Sequence, residues 1–457
     1  MPAPSSPSAN HKPPPGPRGR PPVEDLRALQ IGPHAFLQRA AAQYGDVLRY
    51  PLGPLPVYLV SHPDGVKHIL QDNARNYSKD TFQYNLLGAI TGNGLLTSDG
   101  DFWFRQRRLA QPAFHRQRIA DFGPLMTGAT EAMLADWRPY AEVGQAIDVA
   151  AEMMHVALQI VGKALFSVEI GDRAGALARA TLTVLDQIVF RAKTFGMVPS
   201  WLPTRGNLRA RSGLHTLDRA VWDTINRRRR DGEDGGDLLA MLMSARDPET
   251  GAAMTDQQLR DEVMTMLIAG HETVASALAW TWYLLANAPE VEAKLHEEVD
   301  RVLAGRPATA DDLPNLPITG MIFDEALRLY PPAWIITRKA LADDEIGGYH
   351  IPAGTLVVTS PYVTQRDARF WENPDAFDPE RFSTERSVGR PRFAYYPFGG
   401  GPRLCIGNHF ALVEAGLVIA AVAQCYSLHL APGQQIGVEP SVTLRPKHGL
   451  MMTLLRR

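Results

Sequence analysis

From Thr255 to Asn287 the chain carries no proline, and the first break comes at Pro289. Thr255 and Gln258 form a capping box, in which each side chain can satisfy a backbone donor of the first helical turn. The spacing therefore predicts one helix of roughly thirty residues or more, far beyond the usual globular length. Such a helix crosses a whole molecule, and the remaining chain must be laid around it. Its middle reads Ala269-Gly270-His271-Glu272-Thr273. Gly and Thr are unfavourable inside an otherwise strong helix, and a local cost of this kind is often found at a functional site. Taken alone, Glu272 and Thr273 also read as a surface carboxylate and a threonine bonded back to its own helix.

A second stretch, Phe398-Gly399-Gly400-Gly401-Pro402-Arg403-Leu404-Cys405-Ile406-Gly407, precedes an apolar run from Phe410 to Val422. Glycine lacks a Cβ and tolerates positive φ, so this loop can lie close to a flat ligand. Cys405 stands near the start of the following helix, where the helix dipole favours a thiolate. A thiolate is a good soft ligand for iron. The loop alone is equally compatible with a buried structural cysteine. The chain has 457 residues and two cysteines, Cys405 and Cys425, so no disulfide framework is expected and the context reads as reducing. Cys425 lies in an apolar run and reads as inert core. With 45% hydrophobic and 21% charged residues and a formal net charge of −2, the chain has an ordinary globular balance and no basic excess that would favour nucleic acid.

Elsewhere the pattern is mostly helical. Residues 1–22 are rich in Pro, Ser, Gly and Arg and read as a disordered or polyproline lead-in to a body spanning 23–457. No apolar run reaches membrane-spanning length, so no transmembrane segment is expected. Pro33 to Tyr44 reads as a helix, Val47–Tyr50 and Val57–Val60 as strands, and His62 to Leu70 as a helix. Tyr77 to Thr97 reads as loop. Asp101 opens a helix on which Trp103 and Arg107, four apart, share a face that could bind a carboxylate. Arg105, Arg108, Arg116 and Arg118 read either as a docking patch for an acidic electron donor or as a solvated basic face. Residues 124–230 give several helices, the last ending in the basic run Arg227 to Arg230, followed by an acidic, flexible loop to Asp237. Glu325 and Arg328 share a helix face. Residues 346–359 read as a hairpin turning at Pro352-Ala353-Gly354, and Val442 to Leu455 as strand and turn.

W-x-x-x-R at Trp103, A-G-x-E-T at Ala269, E-x-x-R at Glu325, P-E-R-F at Pro379 and the Cys405 loop occur in one order and spacing. In this the chain, over roughly residues 30–457, resembles the cytochrome P-450 superfamily of haem-thiolate monooxygenases. The resemblance implies a mainly α fold, a single large helical domain with small β-sheets. It implies haem b, with Cys405 as the proximal iron ligand and Trp103, Arg107, Ala269, Arg338, Phe398 and Arg403 as haem contacts. Glu272 and Thr273 become the proton-relaying acid and alcohol, beside a widening of the long helix. Val274 replaces the second hydroxyl common in the family. Glu325, Arg328 and Arg381 become a buried structural network.

Thr81 to Tyr84, Ala269 to Ala279, Trp334-Ile335, Ser360 to Arg366 and Thr443 to Pro446 are similar to the carotene-hydroxylating members from thermophilic bacteria. This implies a long apolar substrate, a carotenoid, other terpenoid or fatty acid, lined by Phe82, Gln83, Tyr84, Leu86, Ile268, Ala269, Ile335 and Ile336. Because the chain ends soon after the haem loop, electrons from NAD(P)H are expected through separate proteins, a ferredoxin or flavodoxin and its reductase. A bacterial-type, cytoplasmic enzyme is expected, with peripheral membrane contact for a lipid substrate. A peroxide-driven enzyme would not need the Glu272–Thr273 pair; a non-catalytic haem sensor would show no turnover.

Overall fold

The computed structural model describes residues 12–17, 23–51, 56–166, 174–194, 197–231 and 236–457. In chain order the helices are α1 (Val23–Ile31), α2 (Pro33–Tyr44), α3 (Pro63–Lys67), α4 (Phe82–Thr91), α5 (Gly100–Ala110), α6 (Arg116–Asp121), α7 (Gly123–Val143), α8 (Val149–Phe166), α9 (Ala174–Lys193), α10 (Arg205–Asp231), α11 (Leu238–Ser244), α12 (Asp256–Ala286), α13 (Pro289–Leu303), α14 (Pro317–Leu329), α15 (Pro361–Thr364), α16 (Thr384–Ser387) and α17 (Asn408–Cys425). The strands are β1 (Val47–Tyr50), β2 (Val57–Val60), β3 (Tyr77–Ser78), β4 (Ile147–Asp148), β5 (Ile336–Ala340), β6 (Asp344–Ile346), β7 (Tyr349–Ile351), β8 (Leu356–Thr359), β9 (Tyr426–Leu430), β10 (Gly437–Pro440), β11 (Leu444–Lys447) and β12 (Met451–Arg456). The fold is mainly α. Contacts divide the chain into two units: Met1–Thr81, Ile335–Pro374 and Arg390–Leu404 form the first, and Phe82–Trp334, Asp375–Gly389 and Cys405–Arg457 the second.

The first unit is built on a five-stranded sheet in the order β1-β2-β8-β5-β3. β2 and β8 run parallel, and the other pairs are antiparallel. Both edges of β8 are therefore taken, by β2 and β5, so the expected 346–359 hairpin does not form. β7 pairs instead with β6, and Pro352–Gly354 connects two different sheets. Val60, Val66, Ile69, Val357, Phe393 and Tyr396 fill the core under the sheet. Most of the lead-in lies outside the described residues. In its described part, Pro14 is buried and Arg49 N donates to Pro15 O at 2.8 Å, so residues 12–17 lie along β1.

The second unit is organised around α12. Its 31 residues extend about 46 Å at ~1.5 Å per residue. The capping box forms in full, Gln258 N donating to Thr255 Oγ1 and Thr255 N to Gln258 Oε1; a cap of this kind contributes about 1 kcal/mol. Side chains from Leu259 to Leu285 are buried on nearly all sides, because α4, α8, α10, α14, α17, β9 and β11 surround the helix. Propensity alone would not hold a glycine in it, yet a Cβ on Gly270 would come within 3.1 Å of Val161 Cγ2 on α8. Close packing of α8 on α12 explains Gly270. The helix runs on without a break through these residues.

Two further expectations change. Phe82–Thr91 is a helix, α4, where the sequence reads as loop. Tyr84, Leu86, Leu87 and Ile90 are buried as it packs on α9 and α12, and this tertiary burial outweighs the weak periodicity around Gly88. The arginine patch is partly spent: Arg108 donates to Asp247 and Glu249, both at 2.7 Å, and Arg118 lies 4.0 Å from Asp121. Of the run ending α10, Arg228 pairs with Asp237 and Arg229 with Asp256, so these cations clamp the following elements as well as complementing the helix end. Separately, α17 has the length and mean hydropathy, 1.4, of a membrane span. Two-thirds of it is buried in the fold, 67%, as a core helix. No other helix among the described residues is long and apolar enough to cross a membrane.

Candidate haem-thiolate site

The glycine loop lies at the end of the first unit. Tyr396 anchors it: its N–H donates to Gln365 Oε1 at 3.0 Å, and its hydroxyl lies 3.1 Å from Thr364 Oγ1. Gly399 and Gly401 adopt φ of +73° and +64°, which side chains rarely tolerate. A Cβ on Gly400 would lie 2.3 Å from the Phe393 ring, and one on Gly401 would lie 1.9 Å from Leu70 O. These glycines are therefore dictated by the loop's backing against its own unit, a reason the sequence reading does not supply. Phe398 and Arg403 are half-buried here, and Arg338 is buried on β5, donating to Thr337 O at 2.8 Å.

Leu404 passes the chain to the second unit, where Cys405 is exposed three residues before α17 and its N-cap is Gly407. Trp103 is buried on α5, with Arg107 half-buried one turn on. Burial pulls the Arg107 guanidinium below its ordinary value, and the charge of Cys405 pushes it back up. Arg107 thus lies close enough to Cys405 for a charge on the sulfur to act on it. No carboxylate of the described residues pairs with it. Among the described residues no group of three or more His, Cys, Asp and Glu side chains is arranged to hold a bare metal ion. A lone thiolate fits a metal that brings its remaining ligands with it, and an arginine without an acid partner fits a carboxylate on that ligand. The residues of the second unit fit haem: Cys405 would hold the iron, and Trp103 and Arg107 a propionate.

On α12, Glu272 is 1% exposed, which removes the surface-carboxylate reading. Its Oε1 accepts from Thr443 Oγ1 at 2.8 Å. Burial raises its carboxyl to about 7, against the opposing pull of Thr443 and Arg445. Thr273 Oγ1 donates to Ala269 O at 2.8 Å. With its hydrogen so committed, the oxygen keeps lone pairs able to accept from a water or ligand. His271, just before Glu272, is fully buried and turned to Leu267 O; burial lowers it to about 4, so it stays neutral at pH 7.

Among the expected substrate contacts, Phe82, Gln83, Tyr84 and Leu86 all lie on α4, which packs on α12, the helix of Ile268 and Ala269. Phe82 and Gln83 keep exposure, while Tyr84, Leu86 and Ile268 are buried. Ile335 is half-buried before β5, and Ile336 is in the first unit's core, its Cδ1 3.9 Å from where Gly399 lacks a side chain. Glu325, Arg328 and Arg381 meet in a buried cluster. Arg328 donates to Glu325 at 2.6 and 2.8 Å, and Arg381 at 2.9 Å. Asp378 N and Ala376 O complete it, partners the spacing does not reveal. Thr443 has no role in the sequence reading, although it stands in one of the stretches of closer resemblance.

A sequence model of the cytochrome P450 family matches residues 14–453. Cyclooctatin synthase of Streptomyces melanosporofaciens is 40% identical over 90% of this chain and 89% of its own length. Pentalenene oxygenase of Streptomyces avermitilis is 37% identical over 91% and 89%. The crystal structure of the cytochrome P450DA haem domain superposes with a TM-score of 0.88 at 28% identity, covering 98% of both chains. With Cys405 exposed ahead of α17, Arg107 near it and a family match over nearly the whole length, the chain belongs to the cytochrome P450 family and is a haem-dependent monooxygenase.

Proposed function

We propose that this monooxygenase hydroxylates a long or polycyclic apolar substrate of terpenoid type, with carotenoids included in the class, using electrons from NAD(P)H delivered by a separate ferredoxin or flavodoxin and its reductase. The observation that carries the proton-relaying part is the buried Glu272 carboxyl, poised at about 7 next to Thr273. Haem supplies the oxygen chemistry when bound. The chain's task is then to bind and orient the substrate, exclude water, and deliver protons. A carboxyl at about 7 gives up and regains a proton at neutral pH. Thr273 Oγ1 can hold the water that receives it. Support for the substrate class comes from the apolar residues of α4 and α12 and from pentalenene, an alkene by its name, in the name of one relative. A spectral binding screen of terpenes, carotenoids, fatty acids and steroids on the haem-loaded protein tests it; tight binding only of small charged compounds overturns it.

For the relay, Thr273→Ala is expected to bind substrate and consume nicotinamide through supplied redox partners, while releasing more peroxide and less product per electron pair. Glu272→Gln should slow turnover by roughly 10²-fold, the usual scale of one acid–base group. In the parent, turnover should fall as pH rises through about 7, because the proton-bearing carboxyl is lost; in Glu272→Gln that limb should vanish. Product, peroxide and nicotinamide are measured together. Unchanged coupling in Thr273→Ala removes it from the mechanism.

A peripheral membrane contact is part of the same reading. Between Asp186 and Asp218 there is no acidic residue, and Arg191, Lys193, Arg205, Arg209 and Arg211 lie there. Met197 and Trp201 are 76% and 72% exposed, with Phe190, Leu202 and Leu208 also exposed. Aromatic and aliphatic side chains among cations suit an anionic lipid surface, where each cation contributes about 1 kcal/mol. Binding to vesicles containing phosphatidylglycerol is expected to exceed binding to neutral vesicles, to weaken with salt, and to drop in Trp201→Ser. Equal sedimentation with both vesicle types excludes the contact.

A further inference from the structure

We propose that Thr443, just ahead of β11 on the C-terminal hairpin, is a positioning residue for proton supply: its hydroxyl fixes the Glu272 carboxyl from outside the helix that carries Glu272 and Thr273. The inference rests on the relay reading of that pair and extends it to another element. Thr443 Oγ1 donates to Glu272 Oε1 at 2.8 Å and lies 3.4 Å from Ser276 Oγ, one turn further along α12. Both α12 groups are buried, as is Thr443 itself. One hydroxyl thus meets two neighbours on a single helix face.

The backbone around Thr443 is held on both sides. Trp334 Nε1 donates to Ser441 O at 3.0 Å, and Trp280 Nε1 to Leu444 O at 2.9 Å. Leu444 N donates to Pro332 O at 3.1 Å. A donor fixed this way costs no reorganisation when the carboxyl changes charge. The next charged residue, Arg445, donates to Glu439 Oε2 on β10 at 3.0 Å and to Asp186 Oδ1 on α9 at 2.6 Å. Asp186 and Glu439 are the solvent-exposed end of the assembly. The charged groups acting on Glu272 are Arg445, which favours its anion, and Asp186, which opposes it. A neutral donor at hydrogen-bond distance favours the anion too, so Thr443 holds down a carboxyl that burial drives up. Without that donor, Glu272 would stay protonated through neutral pH and release its proton poorly.

The test uses the haem-loaded full chain. Infrared difference spectra against pH read the Glu272 carboxyl band, identified by its loss in Glu272→Gln. In Thr443→Val, which keeps the shape and removes the hydroxyl, the midpoint of that band is expected to rise by roughly one pH unit, the scale of one hydrogen bond to a charged group. Thr443→Ser should restore the parent midpoint. The alkaline limb of product formation should move upward with the band in Thr443→Val, with substrate binding unchanged. An unmoved midpoint in Thr443→Val overturns the proposal. If the Val variant does not load haem, Thr443→Ala and Thr443→Ser are compared in the same way, and equal midpoints in the two overturn it. A moved midpoint with unchanged turnover and an unchanged alkaline limb in Glu272→Gln leaves the hydrogen bond in place and defeats the relay reading instead.

Discussion

Cys405→Ser is expected to lose the red-shifted reduced-carbonyl spectrum of thiolate haem and essentially all monooxygenase turnover, while Cys425→Ser keeps both. The two thiols differ in every respect that matters to iron. Cys405 is exposed at the head of the long helix α17, with Arg107 close enough to sense its charge. A cation and a helix N-terminus both favour the thiolate, which is the ligating form. Cys425 is half-buried at the far end of the same helix, where burial pushes its thiol up and the dipole is of the wrong sign. Serine at 405 replaces a soft anionic sulfur with a neutral hard oxygen that iron holds poorly. Reduced-carbonyl spectra and haem content of the two purified variants decide the matter. A thiolate spectrum in Cys405→Ser, lost in Cys425→Ser, would reverse the assignment.

What the residues announce in advance, and what they hide, follows the range of the interaction. α12 is legible because its signals are local: a capping box at Thr255 and Gln258, no proline before Pro289, apolar residues throughout. Glu325 and Arg328 are legible as a pair because three residues of helix bring them together. Their link to Arg381 spans 56 residues of sequence and enters through family likeness alone. β8 is misread as half of a hairpin because strand pairing is a choice among all available edges, and β2, close to 300 residues upstream, outcompetes the neighbour β7. α4 is hidden because its order comes from packing on α9 and α12. The Glu272–Thr443 bond is hidden for the same reason, its donor and acceptor being 171 positions apart in sequence. A short motif gives the chemistry of a group; its ionisation belongs to whatever folds against it.

The same distinction sets the size of the largest stability effect. Glu325→Ala is expected to leave little or no haem-loaded protein. Glu325, Arg328 and Arg381 are 0, 0 and 3% exposed, and one carboxylate takes hydrogen bonds from both guanidiniums and from Asp378 N. Removing it takes from two buried cations the carboxylate they share, while both still donate to the Ala376 carbonyl. Breaking a buried charged cluster by removing one partner costs about 3–5 kcal/mol, a large part of the 5–15 kcal/mol that holds a typical domain. Glu325→Gln should be milder, since the amide oxygen can still accept, but the negative charge that both cations share would be gone. Arg386→Ala is the contrasting case. Arg386 donates to Asp378 at 2.8 and 3.2 Å on the exposed rim of the same cluster, where an ion pair contributes about 0–1 kcal/mol. Denaturant midpoints and haem occupancy of the three variants should therefore rank Glu325→Ala far below Glu325→Gln, and Arg386→Ala close to the parent. A Glu325→Ala protein with normal yield and haem content would mean that packing of α14 against the 376–382 turn, without its charges, suffices to hold this part of the second unit.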